Sequence, residues 1–411
     1  MSTNLDVTTG DAPRALDEET MELLRRRIGI PVRFSPREAQ EVASTDSFRH
    51  FARGYGDDNP LYGEPDHASA SSWGGPIAPP VYLFGAGISR PVDLSDEQKA
   101  AMSGGDPLAG IGQYMCGERW LFASPVRAGD VMYRTQSLYD AQLRSSTFGG
   151  GTGALVTHRV RWETGEGRLL GFRYLDYMHV PRDGSKKASK NRTFEPTLYT
   201  DEDLDRLDAV YEAETVRGPE RLRIEDVEVG DALGPIAKGP FSVTDVVAWH
   251  MGAGFGMFGG GPSKIAYKNR QRIPKFYTRN EQGFWDTVMR CHWDPEWAQR
   301  MGHPTGYDYG VMRTAWAAQL VGNWMGDDAW IWKITATARK FNYLGDSHLM
   351  TGEVVEVDTE QGMVTIDTQG VNQRGEVTCT ARVVVLLSGA DGQPANIPDY
   401  DLSHDPEAAA P

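Results

Sequence analysis

Residues 309–324, YGVMRTAWAAQLVGNW, place apolar side chains on nearly every face of a helix. A helix on a protein surface has one apolar stripe, whereas a helix that is apolar all round is buried. Four segments with the alternating pattern of half-buried strands follow it, at residues 330–341, 349–357, 363–371 and 377–387. The second half of the chain therefore predicts an antiparallel sheet wrapped around a buried helix.

The first half has the same order of elements. An apolar run at 81–88 precedes strand-like segments at 114–122, 131–139, 154–162 and 169–180. Ala-Gly-Asp at 128–130 and Leu-Gly-Asp at 344–346 each precede an alternating strand, as in an internal repeat. We expect an α+β protein with one long helix beginning near Pro80 and another near Gly310. Further helices are predicted at 16–28 and, with Pro36 at the first helical position, at 35–54.

The length of 411 residues exceeds twice that of a common domain and predicts two domains. We place the first at residues 14–183 and the second at 206–390. A charged stretch without periodicity at 184–205 predicts a linker. The polar segments at 1–13 and 391–411 are interpreted as tails.

The composition excludes several classes of function. The 42 basic and 57 acidic residues give a net charge of −15, which argues against nucleic acid because phosphate binding needs a basic face. The three cysteines have neither a disulfide framework nor metal-ligand spacing, which favours a cytoplasmic protein. No apolar run approaches the roughly 20 residues of a membrane span. The glycine-rich run at 252–261 lacks the strand and helix context of a dinucleotide site, so no cofactor is predicted.

Residues 56–62, GDDNPLY, resemble the Gly-Asp-x-Asn-Pro-Leu-His signature of the MaoC-like hydratases, and residues 73–80 resemble the step that follows it. The resemblance implies two hotdog domains in tandem, each a long central helix wrapped by an antiparallel sheet. It also implies a hydro-lyase that hydrates an enoyl-CoA or dehydrates a 3-hydroxyacyl-CoA. A homodimer without a metal is expected on the same ground.

The first half departs from this signature at two positions. In the family, the Asp and His of the signature act as acid and base, and a later Gly directs its N–H at the thioester oxygen. Here the His position holds Tyr62, and the Gly position holds Pro80, which has no N–H. Asp57 and Asn59 remain, although such residues in turns commonly bond the backbone. We predict a catalytically silent first half that shapes the acyl pocket.

The second half has a histidine and a glycine at the motif positions where the first half has Tyr62 and Pro80. Residues 286–298, DTVMRCHWDPEWA, resemble the second part of the family motif, which implies His292 as the acid/base. Gly310, after Tyr309, takes the place of the oxyanion donor. Asp286 is the nearest carboxylate partner, although it lies one residue further from His292 than the family spacing allows. Asp294 before a proline is interpreted as a helix cap, and a metal at His-x-Asp lacks a third ligand.

Two other functions stay open at this point. A hotdog thioesterase would use a carboxylate to activate water, and an acyl-binding or partner subunit would have lost its chemistry. A basic stretch fits the phosphates of coenzyme A or a solvated surface equally well; its residues are Lys264, Lys268, Arg270, Arg272 and Lys275. Aromatic residues near the motif point to a bulky acyl group, namely Trp249, Phe255, Phe258, Trp285, Trp293 and Tyr309.

Overall fold

The computed structural model describes residues 15–32, 39–146, 151–181, 194–254, 260–388 and 393–399. Most residues of the predicted tails fall outside these ranges, and so do residues 184–193 of the predicted linker, the start of the helix predicted at 35–54, and Phe255 and Phe258. Helices and strands fill most of the described part of the chain.

The helices and strands follow one another in two similar series. The helices are α1 (Glu18–Arg25), α2 (Thr45–Gly54), α3 (Pro60–Gly63), α4 (Pro65–Ala70), α5 (Asp96–Met102), α6 (Asp201–Ala213), α7 (Val243–Ala253), α8 (Ser263–Arg272), α9 (Pro295–Met301) and α10 (Gly310–Met325). The strands of the first half are β1 (Pro31–Val32), β2 (Ile88–Ser89), β3 (Gly112–Phe122), β4 (Met132–Ser146), β5 (Gly151–Thr164) and β6 (Leu169–Val180). Those of the second half are β7 (Ala232–Lys238), β8 (Tyr277–Arg279), β9 (Trp285–Thr287), β10 (Trp330–Ala338), β11 (His348–Asp358), β12 (Met363–Asn372) and β13 (Val377–Leu386).

One continuous sheet joins the two halves. Its strand order is β1-β4-β5-β6-β3-β10-β13-β12-β11-β7, with β2 beside β4, and β8 and β9 form a separate hairpin. The order on one side of the β3–β10 junction is the reverse of the order on the other side. Antiparallel pairing at the junction, for example Thr335 opposite Arg119, gives the two halves an approximate twofold relation. The predicted internal repeat and the α+β class are confirmed.

The long helix of the second half is α10. Fourteen of its sixteen residues are buried, as the apolar residues on all its faces predict. It packs against β7, β10, β11, β12 and β13, so the second half is a sheet wrapped around a helix. Within the described part of the chain, no helix combines the length and the apolar character needed to cross a membrane.

The described part of the first half has no helix that corresponds to α10, and the prediction of a long helix near Pro80 is wrong. Only one 3₁₀ turn forms there, Tyr82–Gly85. It is preceded by Val81 at φ 69°, a left-handed conformation that a β-branched residue rarely adopts and that starts no α-helix. A Cβ on Gly85 would lie 2.2 Å from the carbonyl oxygen of Ala253, so the turn is fixed by contact with α7.

Two other boundaries differ from the sequence predictions. Helix α2 begins at Thr45, because the side chains and amides of Ser44 and Ser47 bond each other reciprocally in a capping box. Helix α6 begins at Asp201, inside the predicted linker, with a capping box between Thr200 and Asp203. In both cases a local cap fixes the start of the helix. The predicted division into domains stays a prediction.

Helices α2 and α7 bring the halves together through two equivalent glycines. A Cβ on Gly54 would lie 3.0 Å from the carbonyl oxygen of Ala248, and one on Gly252 would lie 2.6 Å from that of His50. Each glycine is the tenth residue of its helix. The backbones therefore meet closely where the twofold relation predicts, and a larger side chain at Gly252 would force the helices apart.

Candidate active site

A cavity of about 970 Å³ lies against the sheet of the first half. Its walls include the strands β4, β5 and β6, which correspond to the strands that α10 covers in the second half. The start of α10 and the 3₁₀ turn Val288–His292 close it from the other half. The missing helix of the first half has therefore left a space that both halves line.

His292 lines this cavity and is 8% exposed. Its Nδ1 lies 2.7 Å from the carbonyl oxygen of Tyr307. A carbonyl only accepts, so Nδ1 carries the proton and Nε2 carries the lone pair of the neutral ring. Burial lowers the pKa of His292 to about 3, against the opposing effect of the bond to Tyr307. The imidazole is therefore a neutral proton acceptor throughout the neutral range of pH.

Aromatic rings hold the imidazole in its orientation. The ring of Tyr309 stacks on that of His292 with centroids 3.8 Å apart, and Tyr307 approaches from another side at 4.7 Å. The hydroxyl of Tyr309 lies 2.9 Å from Nε2 of His250 on α7. Tyr309 thus contacts the imidazole with its face and is itself positioned by a second histidine.

Gly310 is the first residue of α10 and also lines the cavity. The first N–H groups of a helix have no partner inside it and carry partial positive charge, which suits a developing oxyanion. A Cβ on Gly310 would lie 2.9 Å from Sδ of Met115 on β3 of the other half. The structure therefore brings together three of the predicted residues, His292, Tyr309 and Gly310.

A buried ion pair anchors the start of α10. Arg313 donates two hydrogen bonds of 2.6 Å to the two carboxylate oxygens of Asp308, and Asn342 donates a third at 3.2 Å. Arg313 is 5% exposed and Asp308 is 3% exposed. Such bidentate pairs are geometrically specific, so this pair fixes the backbone between Tyr307 and Gly310. Both oxygens of the Asp308 carboxylate are therefore occupied by hydrogen bonds that hold the fold together.

Asp286 lies apart from His292. Its carboxylate accepts a 2.7 Å bond from the amide of Thr287, and no hydrogen bond joins it to the imidazole in the described part of the chain. It is not among the residues that line the cavity. Asp294 caps α9 by accepting from the amides of Glu296 and Trp297, as its sequence predicts. The Asp286–His292 pair stays a prediction without a contact to support it.

The polar side chains of the first-half motif, Asp57 and Asn59, take part in local hydrogen bonds. Asp57 accepts bonds from the hydroxyl of Tyr55 at 2.9 Å and from the amide of Asn59 at 3.0 Å. Asn59 in turn caps α3 by accepting from the amide of Leu61. Burial raises the pKa of Asp57 to about 6, with Lys238 acting in the opposite sense. Both side chains are thus hydrogen-bonded to the backbone or to a neighbouring side chain, and neither lines the large cavity.

Tyr62 and Pro80 line a separate cavity of about 30 Å³ and do not line the large one. That volume is close to the space of one water molecule, so it leaves no room for a thioester. The first-half motif therefore offers neither a free acid/base nor space for a substrate.

Several residues that matter for the site have weak sequence signals. An arginine inside an apolar helix must have a buried partner, and this reasoning would have found Arg313 and its carboxylate. Tyr307, His250 and Met115 reach the site only through tertiary contacts. Of the aromatic residues selected from the sequence and described here, Tyr309 alone lines the cavity. Among the described residues, no group of three His, Cys, Asp or Glu side chains is placed to hold a metal ion.

Comparisons with known proteins agree with this architecture. Residues 30–170 match a family model described as FAS1-like, dehydratase domain region. A UPF0336 protein of Streptomyces avermitilis is 26% identical over 105 residues, which cover 26% of this chain and 65% of that protein. The chain thus matches less than two thirds of that relative.

Solved structures share the whole fold at low sequence identity. A MaoC-like dehydratase has a TM-score of 0.59 at 15% identity and covers 89% of this chain and 99% of its own. A putative MaoC domain dehydratase from Chloroflexus aurantiacus has a TM-score of 0.51 at 11% identity, covering 89% and 96%. A Mycobacterium tuberculosis protein described as having a double hotdog fold has 0.50 at 12% identity, covering 87% and 96%. The solved structures therefore confirm the predicted double hotdog fold, and residues 30–170 are similar to a dehydratase domain region.

Proposed function

We propose that this protein is a hydro-lyase that adds water to, or removes it from, an acyl-CoA thioester, with its active site in the second half. The observation that carries the proposal is the pairing of a buried neutral imidazole with a helix start in one cavity. His292 supplies a proton-accepting Nε2, and Gly310 supplies the N–H. The names of the related dehydratases support the same class of reaction.

The proposed reaction needs a base, an acid and an oxyanion donor. Nε2 of His292 takes a proton from water as its oxygen bonds to C3 of a 2-enoyl thioester. The electrons of the double bond move to the thioester oxygen, where the Gly310 N–H stabilises the enolate. The imidazolium then returns the proton to C2, which completes the addition of one water molecule. Because burial disfavours the imidazolium, the enolate charge nearby is needed to offset it.

The cavity is large for a small acyl chain. Its volume of about 970 Å³ lies near the top of the usual range for ligand pockets, roughly 300–1,000 Å³. We therefore propose a bulky acyl group that extends beneath the sheet of the first half. The basic side chains of α8 are mostly exposed and do not line the cavity, whereas Arg339 does. Arg339 is our choice for a contact with coenzyme A phosphates.

The test is the loss of enoyl absorbance when purified protein meets a series of 2-enoyl-CoA thioesters. Release of free thiol in the same samples would instead reveal a thioesterase. Activity on enoyl thioesters that disappears in His292→Gln supports the proposal. Absence of turnover with all thioesters, in protein that binds them, refutes it.

A non-catalytic acyl-binding subunit is the second candidate, because the carboxylate expected beside His292 does not line the cavity. It predicts binding of saturated and unsaturated acyl-CoA with equal affinity and no chemistry. Equilibrium binding by calorimetry, beside the absorbance assay, separates the two candidates. The homodimer and the cytoplasmic location stay predictions.

A further inference from the structure

Two histidines of the first half face the large cavity with ring nitrogens that have no partner. His179 on β6 is 6% exposed, and neither its Nδ1 nor its Nε2 has a hydrogen-bond partner among the residues that the structure describes. Nδ1 of His158 on β5 is likewise buried without a partner. Both side chains line the cavity. Buried polar atoms are nearly always hydrogen-bonded in native proteins, so three unsatisfied nitrogens in one cavity indicate a ligand that satisfies them.

The two rings lie on either side of Tyr177. The ring centroid of Tyr177 is 6.0 Å from that of His158 and 6.3 Å from that of His179. Tyr177 is directly opposite Met115 in the β3–β6 pairing, and Met115 approaches Gly310. His179 lies one strand spacing from β3 and His158 lies two, each about two residues along the strand from the level of Met115, so their backbones are on the order of 8–12 Å from that of Met115. A group bound by them belongs to the far part of the acyl chain and not to the thioester.

The surrounding charges favour an uncharged ligand group. The negative charge of Asp106 acts on both imidazoles and would repel a carboxylate. Arg173 is already paired with the buried Glu118, its Nε and Nη2 each 2.6 Å from Oε2. Arg134, which also lines the cavity, donates a 3.1 Å hydrogen bond to Oε1 of Gln136. A neutral imidazole offers one donor and one acceptor, a combination that a hydroxyl group satisfies.

We propose that His158 and His179, on either side of Tyr177, recognise hydroxyl groups on the distal part of the acyl chain. This inference rests on the proposed acyl-CoA function and adds the class of acyl group, an oxygenated rather than a purely hydrocarbon chain. A hydrocarbon chain would leave the imidazole nitrogens buried without hydrogen bonds. The free-energy cost of these unpaired nitrogens would weaken the binding of such a chain.

The test compares matched thioesters. Straight-chain saturated acyl-CoA thioesters of increasing length, each with a terminal methyl, hydroxyl or carboxylate group, are titrated by calorimetry, and the 2-enoyl counterparts are assayed for hydration. We expect the hydroxyl to tighten binding by about tenfold or more once the chain reaches the histidines. Equal affinity for methyl and hydroxyl at every length overturns the inference, and so does a preference for the carboxylate.

Substitutions assign the preference to these residues. His179→Phe and His158→Phe keep a ring but remove its nitrogens, so the hydroxyl preference should fall to about that of the methyl chain. His348→Phe is the control, because both nitrogens of His348 are also buried without partners, but outside this cavity. A hydroxyl preference that persists in both cavity variants overturns the assignment.

The two proposals fail separately. Discrimination in binding without turnover of any thioester would remove the hydro-lyase and leave the recognition site. Turnover that ignores the hydroxyl would do the reverse.

Discussion

Replacing His292 with Gln should abolish most of the turnover while leaving the fold in place. The Gln amide can still donate to the carbonyl of Tyr307, which His292 now contacts at 2.7 Å, but it cannot take up a proton. Loss of a general acid/base costs on the order of 10²–10⁴-fold in turnover. Hydration of a 2-enoyl-CoA, measured per folded molecule, is the assay. Binding of the saturated thioester should change little, because other residues hold the chain and the coenzyme.

His303 provides a matched control for the loss of a buried ring. It is 5% exposed and its ring contacts Tyr307 and Phe341, but it does not line the cavity. His292→Ala and His303→Ala should both lower the free energy of unfolding, by about 2–4 kcal/mol, through cavity formation and lost contacts. Only His292→Ala should also lose turnover per folded molecule. Equal activity in the two variants would show that His292 merely packs.

The dependence of the rate on pH gives an independent check. An ordinary histidine would make the rate titrate near pH 6.5. With burial lowering the pKa of His292 to about 3, kcat/KM should instead show no histidine inflection between about pH 5 and pH 8. An inflection near 6.5 that disappears in His292→Gln would refute the buried, neutral state of the imidazole. Normal turnover in His292→Gln would refute its role altogether.

Three further predictions follow from the surrounding groups. Asp57→Asn should keep turnover within about tenfold of the unsubstituted protein. It should lower the melting temperature, because the Asp57 carboxylate accepts hydrogen bonds from Tyr55 and Asn59 away from the cavity. A thousandfold loss of turnover at unchanged stability would move the active site to the first half. Asp286→Asn should also stay within about tenfold in the hydration assay, and a loss equal to that of His292→Gln would restore the predicted pair. Acid should destabilise the fold: His292 and His348 have their pKa lowered to about 3 by burial, so below pH 6.5 the unfolded chain binds protons that the folded chain does not. Each should remove up to about 2 kcal/mol of unfolding free energy between pH 6.5 and pH 5 in denaturant titrations, while Asp57, with its raised pKa, gains a proton and opposes the loss.

The fold could be predicted where the signal is local. Alternating residues predicted all eight long strands, because side chains of a strand point alternately to the two faces of a sheet. The bounds agree within three residues except at the end of β4, which continues to Ser146 and not to 139. Residues 309–324 are apolar on all sides, and α10 is Gly310–Met325. The repeated order of segments predicted the tandem arrangement for the same reason, since each half carries its own pattern.

The course of the chain after Pro80 could not be predicted in this way. The apolar residues at 81–88 fit a buried helix and an irregular buried segment equally well, so their pattern does not distinguish the two. Its course is decided by contact of Gly85 with Ala253, which lies in the other half of the chain. The cavity depends on that contact, so its existence and its lining histidines were equally hidden from sequence patterns.

The absent helix and the altered motif of the first half have one physical explanation. In the proposed mechanism the oxyanion is stabilised by the start of a helix, through an N–H and the partial charge of the helix end. A single 3₁₀ turn, Tyr82–Gly85, offers no such helix end, and Pro80 before it has no N–H. The loss of the helix and the proline at position 80 would each remove an oxyanion donor, and both changes lie in the same segment of the first half. The space left by that element is the cavity that His292 and Gly310 line, so the proposed acyl pocket lies in the first half where the second half has its central helix.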